Sequence, residues 1–114
     1  MKTRYYLRLP DAKLARGSDP ELSFHSDGAE GFAAEFQEAL RSDALFERWR
    51  AKQDDPESID QGLGATDPAA TVVGNQHDLS IDLVATTSLP GALFKQRLRW
   101  LAGSGWELRD VTAG

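Results

Sequence analysis

The side chains best suited to acid–base or metal chemistry in this chain are its two histidines. His25 and His77 each lie near an acidic residue, Asp27 and Asp78. Two histidines and a carboxylate are a known metal-ligand set, and a carboxylate beside one histidine can orient its ring for proton transfer. The histidines are fifty-two positions apart and both border predicted loops. This separation favours two solvated histidines over a metal or catalytic site.

Other common catalytic and ligand-binding patterns are missing. The chain has no cysteine, which excludes disulfides, thiolate catalysis and cysteine-ligated zinc. The acidic residues from Asp54 onward lack the spacing of a calcium-binding EF-hand loop, and neither short glycine pair precedes a helix as a phosphate loop would. No nucleophile elbow surrounds a serine. The sequence therefore predicts no catalytic residue, no metal and no cofactor, and it favours a protein that is not an enzyme.

A polar stripe is predicted along the first strand, residues 3–9. This segment alternates between two sets of side chains, as a half-buried strand does. The more apolar set is expected to face the core and consists of Tyr5, Leu7 and Leu9. The other set would share the opposite face and consists of Arg4, Tyr6 and Arg8.

The first half of the chain also predicts a second strand and two helical segments. Residues 21–25 alternate again, which predicts an additional short strand with Leu22 and Phe24 inward. A helix follows, with an apolar face at helical spacing formed by Phe32, Phe36, Ala39 and Leu40. A break or bend is expected at Ser42, and a further helical segment beyond it turns Leu45, Phe46 and Trp49 inward.

The last third contains the clearest pattern in the chain. Residues 79–85 alternate as a strand, and a helix opens after residues 88–90 and closes at residues 103–105. Residues 106–109 read as a final strand, in which Trp106 and Leu108 are expected to continue the core. One more short strand is predicted at residues 70–73, followed by a turn at residues 74–78.

The order of these elements is βαββαβ with the additional short strand. It predicts a single α+β domain over residues 1–114, a ferredoxin-like two-layer sandwich with helices on one face of a mainly antiparallel sheet. Residues 53–68 contain five acidic side chains and no basic one, with two prolines and two glycines. This composition predicts a flexible acidic loop.

The predicted topology brings a set of polar residues together. In a ferredoxin-like sheet the first strand lies between the third and the fourth, so its polar stripe would be flanked by Asp82 and Arg109. A cross-strand pair of Arg8 with Asp82 gives these charges a structural reason. The same face, left open by the helices, is the candidate surface for a partner or ligand, formed by Arg4, Tyr6, Arg8, Asp82 and Arg109.

Charge and hydropathy narrow the classes of function. The net charge is −5, and residues 19–82 carry fifteen acidic and four basic side chains. This acidic middle between basic ends argues against a general nucleic-acid binder, which usually shows a clear basic excess. The chain lacks an apolar run that could span a bilayer and lacks a signal-peptide pattern at its start, so we expect no membrane association and a cytoplasmic location.

Three hypotheses about function stay open, of which an anion or nucleic-acid binder that uses the basic side chains Arg4, Arg8, Lys95, Arg99 and Arg109 is the least favoured because of the acidic middle. The first is a small non-catalytic protein-interaction or regulatory module, with a protein partner or self-association. Its support is the segregated charge and the acidic loop. The alternative is a dimeric ferredoxin-like protein that binds a small molecule, or an enzyme, with its pocket on the open sheet face. That alternative rests on analogy between folds.

Overall fold

A computed structural model describes all residues of the chain, 1–114. Four strands and three α-helices form an α+β domain, and residues 53–68 add two short 3-10 turns at Pro56–Ser58 and Gln61–Gly64. In chain order the larger elements are β1 (Thr3–Leu9), α1 (Ala29–Arg41), α2 (Ala44–Ala51), β2 (Thr71–His77), β3 (Ser80–Thr87), α3 (Gly91–Ala102) and β4 (Glu107–Ala113).

The four strands form one sheet in the order β2-β3-β1-β4, and every neighbouring pair is antiparallel. β1 is therefore a central strand between β3 and β4, as the sequence predicts. Its register places Leu7 opposite Leu83 on one side and opposite Leu108 on the other. A β-bulge between the partners of Tyr6 and Leu7 shifts the register of β4.

The helices cover one face of the sheet and bury the apolar residues of β1. Tyr5, Leu7 and Leu9 are buried, which confirms the predicted alternation. Phe32 and Phe36 of α1 are fully buried, because positions four apart lie on one face of a helix. The ring of Phe94 from α3 stacks on Tyr5 with the centroids 3.9 Å apart. These aromatic contacts join the helical layer to the centre of the sheet.

The helical break predicted at Ser42 is confirmed. Ser42 has an extended backbone, with φ −130° and ψ 166°, and α2 begins two residues later. The amide of Ser42 still donates to the carbonyl of Glu38, so α1 ends with its last turn complete. The bend lets Leu45 and Phe46 return to the buried side.

The predicted strand at residues 21–25 is wrong. Leu22 and Phe24 are buried, but the segment is a turn followed by irregular chain. Its backbone is satisfied without a neighbouring strand: the amide of Phe24 donates to the carbonyl of Leu101 at 2.9 Å, and the amide of His25 donates to a carboxylate oxygen of Glu35 at 2.9 Å. The alternation thus reports burial against the end of α3 and not membership of the sheet.

The predicted turn at residues 74–78 is also misplaced. β2 continues to His77, and the turn to β3 is made by Asp78 and Leu79. Asp78 has a φ of 53°, a left-handed conformation that a short side chain like that of aspartate tolerates. Because the strand extends through Gly74, the side chains of Asn75 and His77 belong to the sheet.

Residues 53–68 differ between their two halves. The first half is mostly exposed, whereas the second half contacts the domain, since a Cβ placed on Gly64 would lie 2.6 Å from the ring of Phe46. The flexibility of this acidic loop stays a prediction. None of the three helices has the length and apolar character needed to cross a bilayer.

β4 is less buried than the sequence predicts. All seven of its residues are exposed, and Leu108 retains 39% of its accessible surface. Trp106, just before the strand, is half-buried and packs against the core. Leu108 therefore does not continue the core, because no helix extends over this edge of the sheet.

Candidate functional site

The face of the sheet opposite the helices carries the five residues that the sequence singles out. Arg4, Tyr6 and Arg8 project from β1 on this open face, because their neighbours in the strand point into the core. Asp82 lies opposite Arg8 on β3, and Arg109 is the extra, unpaired residue of the bulge in β4. We call this surface the open face.

A salt bridge joins β1 and β3 on the open face. Nε of Arg8 donates to Oδ1 of Asp82 at 2.8 Å, and Nη2 donates to Oδ2 at 3.3 Å. The hydrogen bond from Arg8 holds the pKa of Asp82 below its usual value, and the same bond raises the pKa of Arg8. Two parallel hydrogen bonds fix both side chains in orientation. The cross-strand pair predicted from the sequence is therefore present.

His77 joins this pair, which sequence reasoning did not predict. Nε2 of His77 lies 3.1 Å from Oδ2 of Asp82. The side chains of Val73, Asn75 and His77 alternate along β2 and share the open face. That period of two was the available signal, and it was missed because residues 74–78 were interpreted as a turn.

The two histidines of the chain are not brought together. His25 lies on the segment before α1 and borders a groove of about 330 Å³ between that segment, α1 and α2. The nearby carboxylate of Glu35 accepts the backbone amides of His25 and Ser26 at 2.9 and 3.0 Å. The Glu35 carboxylate thereby holds the segment that contains His25 against α1. The structure contains no group of three or more His, Cys, Asp or Glu side chains arranged to hold a metal.

Two arginines of the open face, Arg4 and Arg109, form no side-chain hydrogen bond. Arg4 is exposed and forms no ion pair, and its cross-strand neighbours are Thr86 and Thr112. The nearest carboxylate oxygen to Nη1 of Arg109 belongs to Glu107 and lies 3.9 Å away. The bulge in β4 directs Arg109 toward the same side as Asp82, whose pKa it also lowers.

Tyr6 lies at the middle of the open face within a shallow depression. The depression has a volume of about 280 Å³, and Arg8, Asp82 and Arg109 border it with Tyr6. Across the sheet Tyr6 is level with Val84, which in turn is level with Val73. An aromatic and two aliphatic side chains thus form a row between charged residues.

A second polar arrangement lies within the helical layer. Arg97 of α3 is fully buried, and Nη2 donates to the carbonyls of Leu63 at 3.1 Å and Ala65 at 2.6 Å. Nε and Nη1 of Arg97 have no hydrogen-bond partner, and burial lowers its pKa. The helical pattern of α3 gives Arg97 a position at the edge of its apolar face, which does not by itself predict burial. Sequence reasoning missed the covering by residues 61–65, which depends on contacts far apart in the chain.

Asp67, at the end of the same covering segment, is fully hydrogen-bonded. Its carboxylate accepts the amide of Ser88 at 2.8 Å, the hydroxyl of Thr87 at 2.8 Å and the amide of Ala69 at 3.1 Å. The bond from the Ser88 amide is the main reason that its pKa lies below the usual value. Asp67 therefore ties the chain before β2 to the end of β3.

Comparisons of the chain with models of protein families, with curated proteins and with solved structures found no match.

Proposed function

We propose that this chain is a cytoplasmic, non-catalytic protein-interaction or regulatory module that docks a partner protein on its open face. The observation that carries the proposal is the composition of that face. Tyr6 projects from a central strand, and the guanidinium groups of Arg4 and Arg109 lie on the same face without a side-chain hydrogen bond. Tyrosine and arginine are the residue types that most often dominate binding energy at protein interfaces.

The scaffold that we propose for this surface is a ferredoxin-like two-layer sandwich. The order β2-β3-β1-β4 with antiparallel neighbours supports this assignment. The order of elements agrees with it when α1 and α2 are counted as one helical connection. In such a scaffold the two central strands, β1 and β3, carry the exposed face, and a partner would contact side chains from both.

The partner that fits this surface presents carboxylates around an apolar group. Arg8 is already engaged by Asp82 through two hydrogen bonds, so it contributes a fixed orientation and little free charge. Arg4 and Arg109 are the cations available to acidic side chains, while Tyr6, Val84 and Val73 offer apolar contact. The whole chain has a net charge of −5, so an acidic partner would be held by close contact with these two guanidinium groups and not by long-range steering.

Charge reversal on the open face tests this proposal. The parent chain and the variant Arg4→Glu/Arg109→Glu would be used to capture proteins from native lysate, and retained proteins would then be purified for binding isotherms. The matched control is Lys95→Glu/Arg99→Glu, which makes the same charge change on the exposed side of α3. We expect a partner that binds the parent and the control but binds the open-face variant at least about 10-fold more weakly. Equal binding to both variants, or no specific partner of the parent, would contradict the proposal.

The depression around Tyr6 favours a second candidate function, a dimeric small-molecule-binding protein or enzyme. If two copies met with their open faces together, the depression of about 280 Å³ on each would contribute to one enclosed pocket. Arg8, Asp82 and Arg109 would then be its polar lining. This candidate requires a dimer that is disrupted by Val73→Lys, since Val73 lies on the open face and is 59% exposed.

A further inference from the structure

β4 is an edge strand whose apolar side chains have no cover. Leu108 lies opposite Leu7 and Val111 lies opposite Tyr5, so both point to the side that carries the helices. They nevertheless stay 39% and 46% exposed, because α1 packs on β2 and β3 at the other side of the sheet. An apolar edge of this kind is a template for a further strand.

The backbone of this edge is also available. The amide of Val111 donates to Oδ1 of Asp110 at 2.8 Å, a bond to its own neighbour in the chain and not to another strand. At the opposite edge the amide of Val72 in β2 donates to Oε1 of Gln37, which belongs to α1. The β2 edge is therefore covered by a helix, whereas no helix covers the β4 edge, where the amide of Val111 is bonded only to a local side chain.

We infer that β4 pairs with β4 of a second copy of this chain, in an antiparallel arrangement about the midpoint between Arg109 and Asp110. The two-fold axis then places Leu108 opposite Val111 of the partner subunit and Arg109 opposite Asp110 of the partner subunit. Each contact occurs twice, as an isologous interface requires. The two sheets become one continuous sheet, and both edges that form it are removed.

Charge complementarity identifies the occupant as a second copy. An antiparallel pair centred one half-step further along, on Asp110, would oppose the two Asp110 carboxylates. The proposed register instead opposes a guanidinium and a carboxylate in both positions. Opposite charges directly across an antiparallel pair stabilise it, and like charges destabilise it.

The faces of the strand agree with this register. Asp110 lies opposite Tyr6 and Arg109 borders the depression on the open face, so both are on the same side of β4. Leu108 and Val111 share the other side. Residues that meet across an antiparallel pair must project from the same face, and the proposed register satisfies this for the apolar and the charged pairs together.

The first test measures self-association by sedimentation equilibrium over a wide range of chain concentration. We expect a concentration-dependent dimer in the parent. Arg109→Asp and Asp110→Arg each create two like-charge pairs and should weaken association by about 10-fold or more. The double variant Arg109→Asp/Asp110→Arg restores opposite charges and should recover most of the lost affinity. A parent that is monomeric throughout, or a double variant as weak as the single ones, would overturn the inference.

The second test separates the edge from the open face. Val111→Lys places a charge in the proposed seam, and Val73→Lys is the matched control, because it makes the same change at an exposed residue of the other edge strand. We expect Val111→Lys to abolish the dimer and Val73→Lys to retain it. The reverse result would overturn the edge pairing in favour of contact between open faces.

Circular dichroism and thermal unfolding of each variant serve as the check on folding. All the substituted residues are exposed, so the native spectrum should be unchanged. Arg109 takes part in both the edge pairing and the proposed docking function, and Val111→Lys separates the two: Val111 lies on the side away from Tyr6, and its substitution leaves both Arg4 and Arg109 in place. Loss of the dimer with partner binding intact would support the edge pairing, and persistence of the dimer in Val111→Lys would refute it.

Discussion

β2 and β4 are the two edges of one sheet and are equally long, seven residues each, yet only β2 is packed against a helix. At the centre of β2, Gly74 lets α1 approach so closely that an ideal Cβ there would lie 2.5 Å from the carbonyl oxygen of Ala29. The corresponding side of β4 exposes Leu108 and Val111. Glycine in a strand often marks such a close approach.

The backbone hydrogen-bonding groups at the two edges also differ between β2 and β4. Side chains of α1 reach the start of β2, where Gln37 accepts the amide of Val72 and Nε of Arg41 donates to the carbonyl of Ala70 at 2.6 Å. In β4 the amide of Val111 has only the exposed carboxylate of Asp110. Side chains of α1 thus satisfy backbone groups at the start of the β2 edge, whereas the Val111 amide at the β4 edge is satisfied by an exposed side chain that another acceptor can replace.

This difference shows how a small sheet can direct its own association. An uncovered edge promotes pairing with other chains, and natural proteins protect edges with helices, charges or bulges. Here β2 has the helix, while β4 has a bulge and the charges of Arg109 and Asp110. Those charges disfavour pairing in other registers. They favour the one register in which each Arg109 guanidinium faces the carboxylate of Asp110 of the partner subunit.

The largest loss of stability is expected from obstructing the close contact between α1 and β2 at the covered edge. Gly74→Ala places a methyl group against the backbone of Ala29, which cannot move without shifting α1. We expect a loss of about 3 kcal/mol in the free energy of unfolding, as overpacking between rigid elements produces. Chemical denaturation of the variant measures it.

The matched control is Ala113→Val, which adds methyl groups to the exposed edge. It should change the free energy of unfolding by less than about 0.5 kcal/mol. Equal effects of Gly74→Ala and Ala113→Val would show that α1 does not rest on β2 as closely as described.

The next largest effect is expected at two aspartates that make similar bonds in different surroundings. Asp67 accepts the amide of Ser88 and Asp110 accepts the amide of Val111, each at 2.8 Å. Asp67 is only 6% exposed and Asp110 is exposed to water. Asp67→Ala leaves the buried hydroxyl of Thr87 and two part-buried amides without their acceptor and should cost about 2 kcal/mol. Asp110→Ala should lower the free energy of unfolding by about 0.3 kcal/mol at most, because water replaces the carboxylate.

The contribution of Asp67 should also depend on pH. Its folded-state pKa lies below the ordinary carboxyl value of 3.8, so the ionised form stabilises the fold. That stabilisation is complete above this value and is lost as the pH falls through the folded-state pKa. We therefore expect the difference between the parent and Asp67→Ala to be constant near neutrality and to shrink in acid. A difference that grows in acid would contradict the direction of the shift.

Much of the fold could be predicted from local patterns. The period of two in residues 3–9 and 79–85, and the period near four at Phe32 and Phe36, each report burial of one face, and the structure agrees. The strand predicted at residues 21–25 failed because alternating burial says nothing about which backbone groups will be neighbours. There Leu101 and Glu35 supply the hydrogen-bond partners.

Some contacts of the candidate site could likewise be predicted from local patterns and others could not. Arg8 and Asp82 could be paired from strand order and alternation, whereas His77 required knowing that β2 passes straight through Gly74. The burial of Arg97 could not be predicted, because the carbonyls that receive its guanidinium lie 32 and 34 residues away in an irregular segment. Local patterns carry no information about such covering segments.

The exposure of Leu108 is a related failure. Its spacing fits a core strand, and it does point to the core side of the sheet. Whether that side is covered depends on where α1 and α3 come to rest, which is set by packing between helices. The contrast between β2 and β4 therefore arises at the level of packing.

The smallest loss of stability is expected from removing a single hydrogen bond between α1 and the β2 edge. Gln37→Met keeps the length of the side chain but removes the oxygen that accepts the amide of Val72 at 3.0 Å. Because Gln37 is half-buried, we expect a loss of about 1 kcal/mol in the free energy of unfolding and faster hydrogen exchange at Val72. Gln37→Glu retains an acceptor in the same place, so the amide of Val72 should exchange more slowly in this variant than in Gln37→Met. If Gln37→Met left both stability and exchange unchanged, α1 would not be what closes this edge, and the distinction between β2 and β4 would rest on steric cover at Gly74 alone.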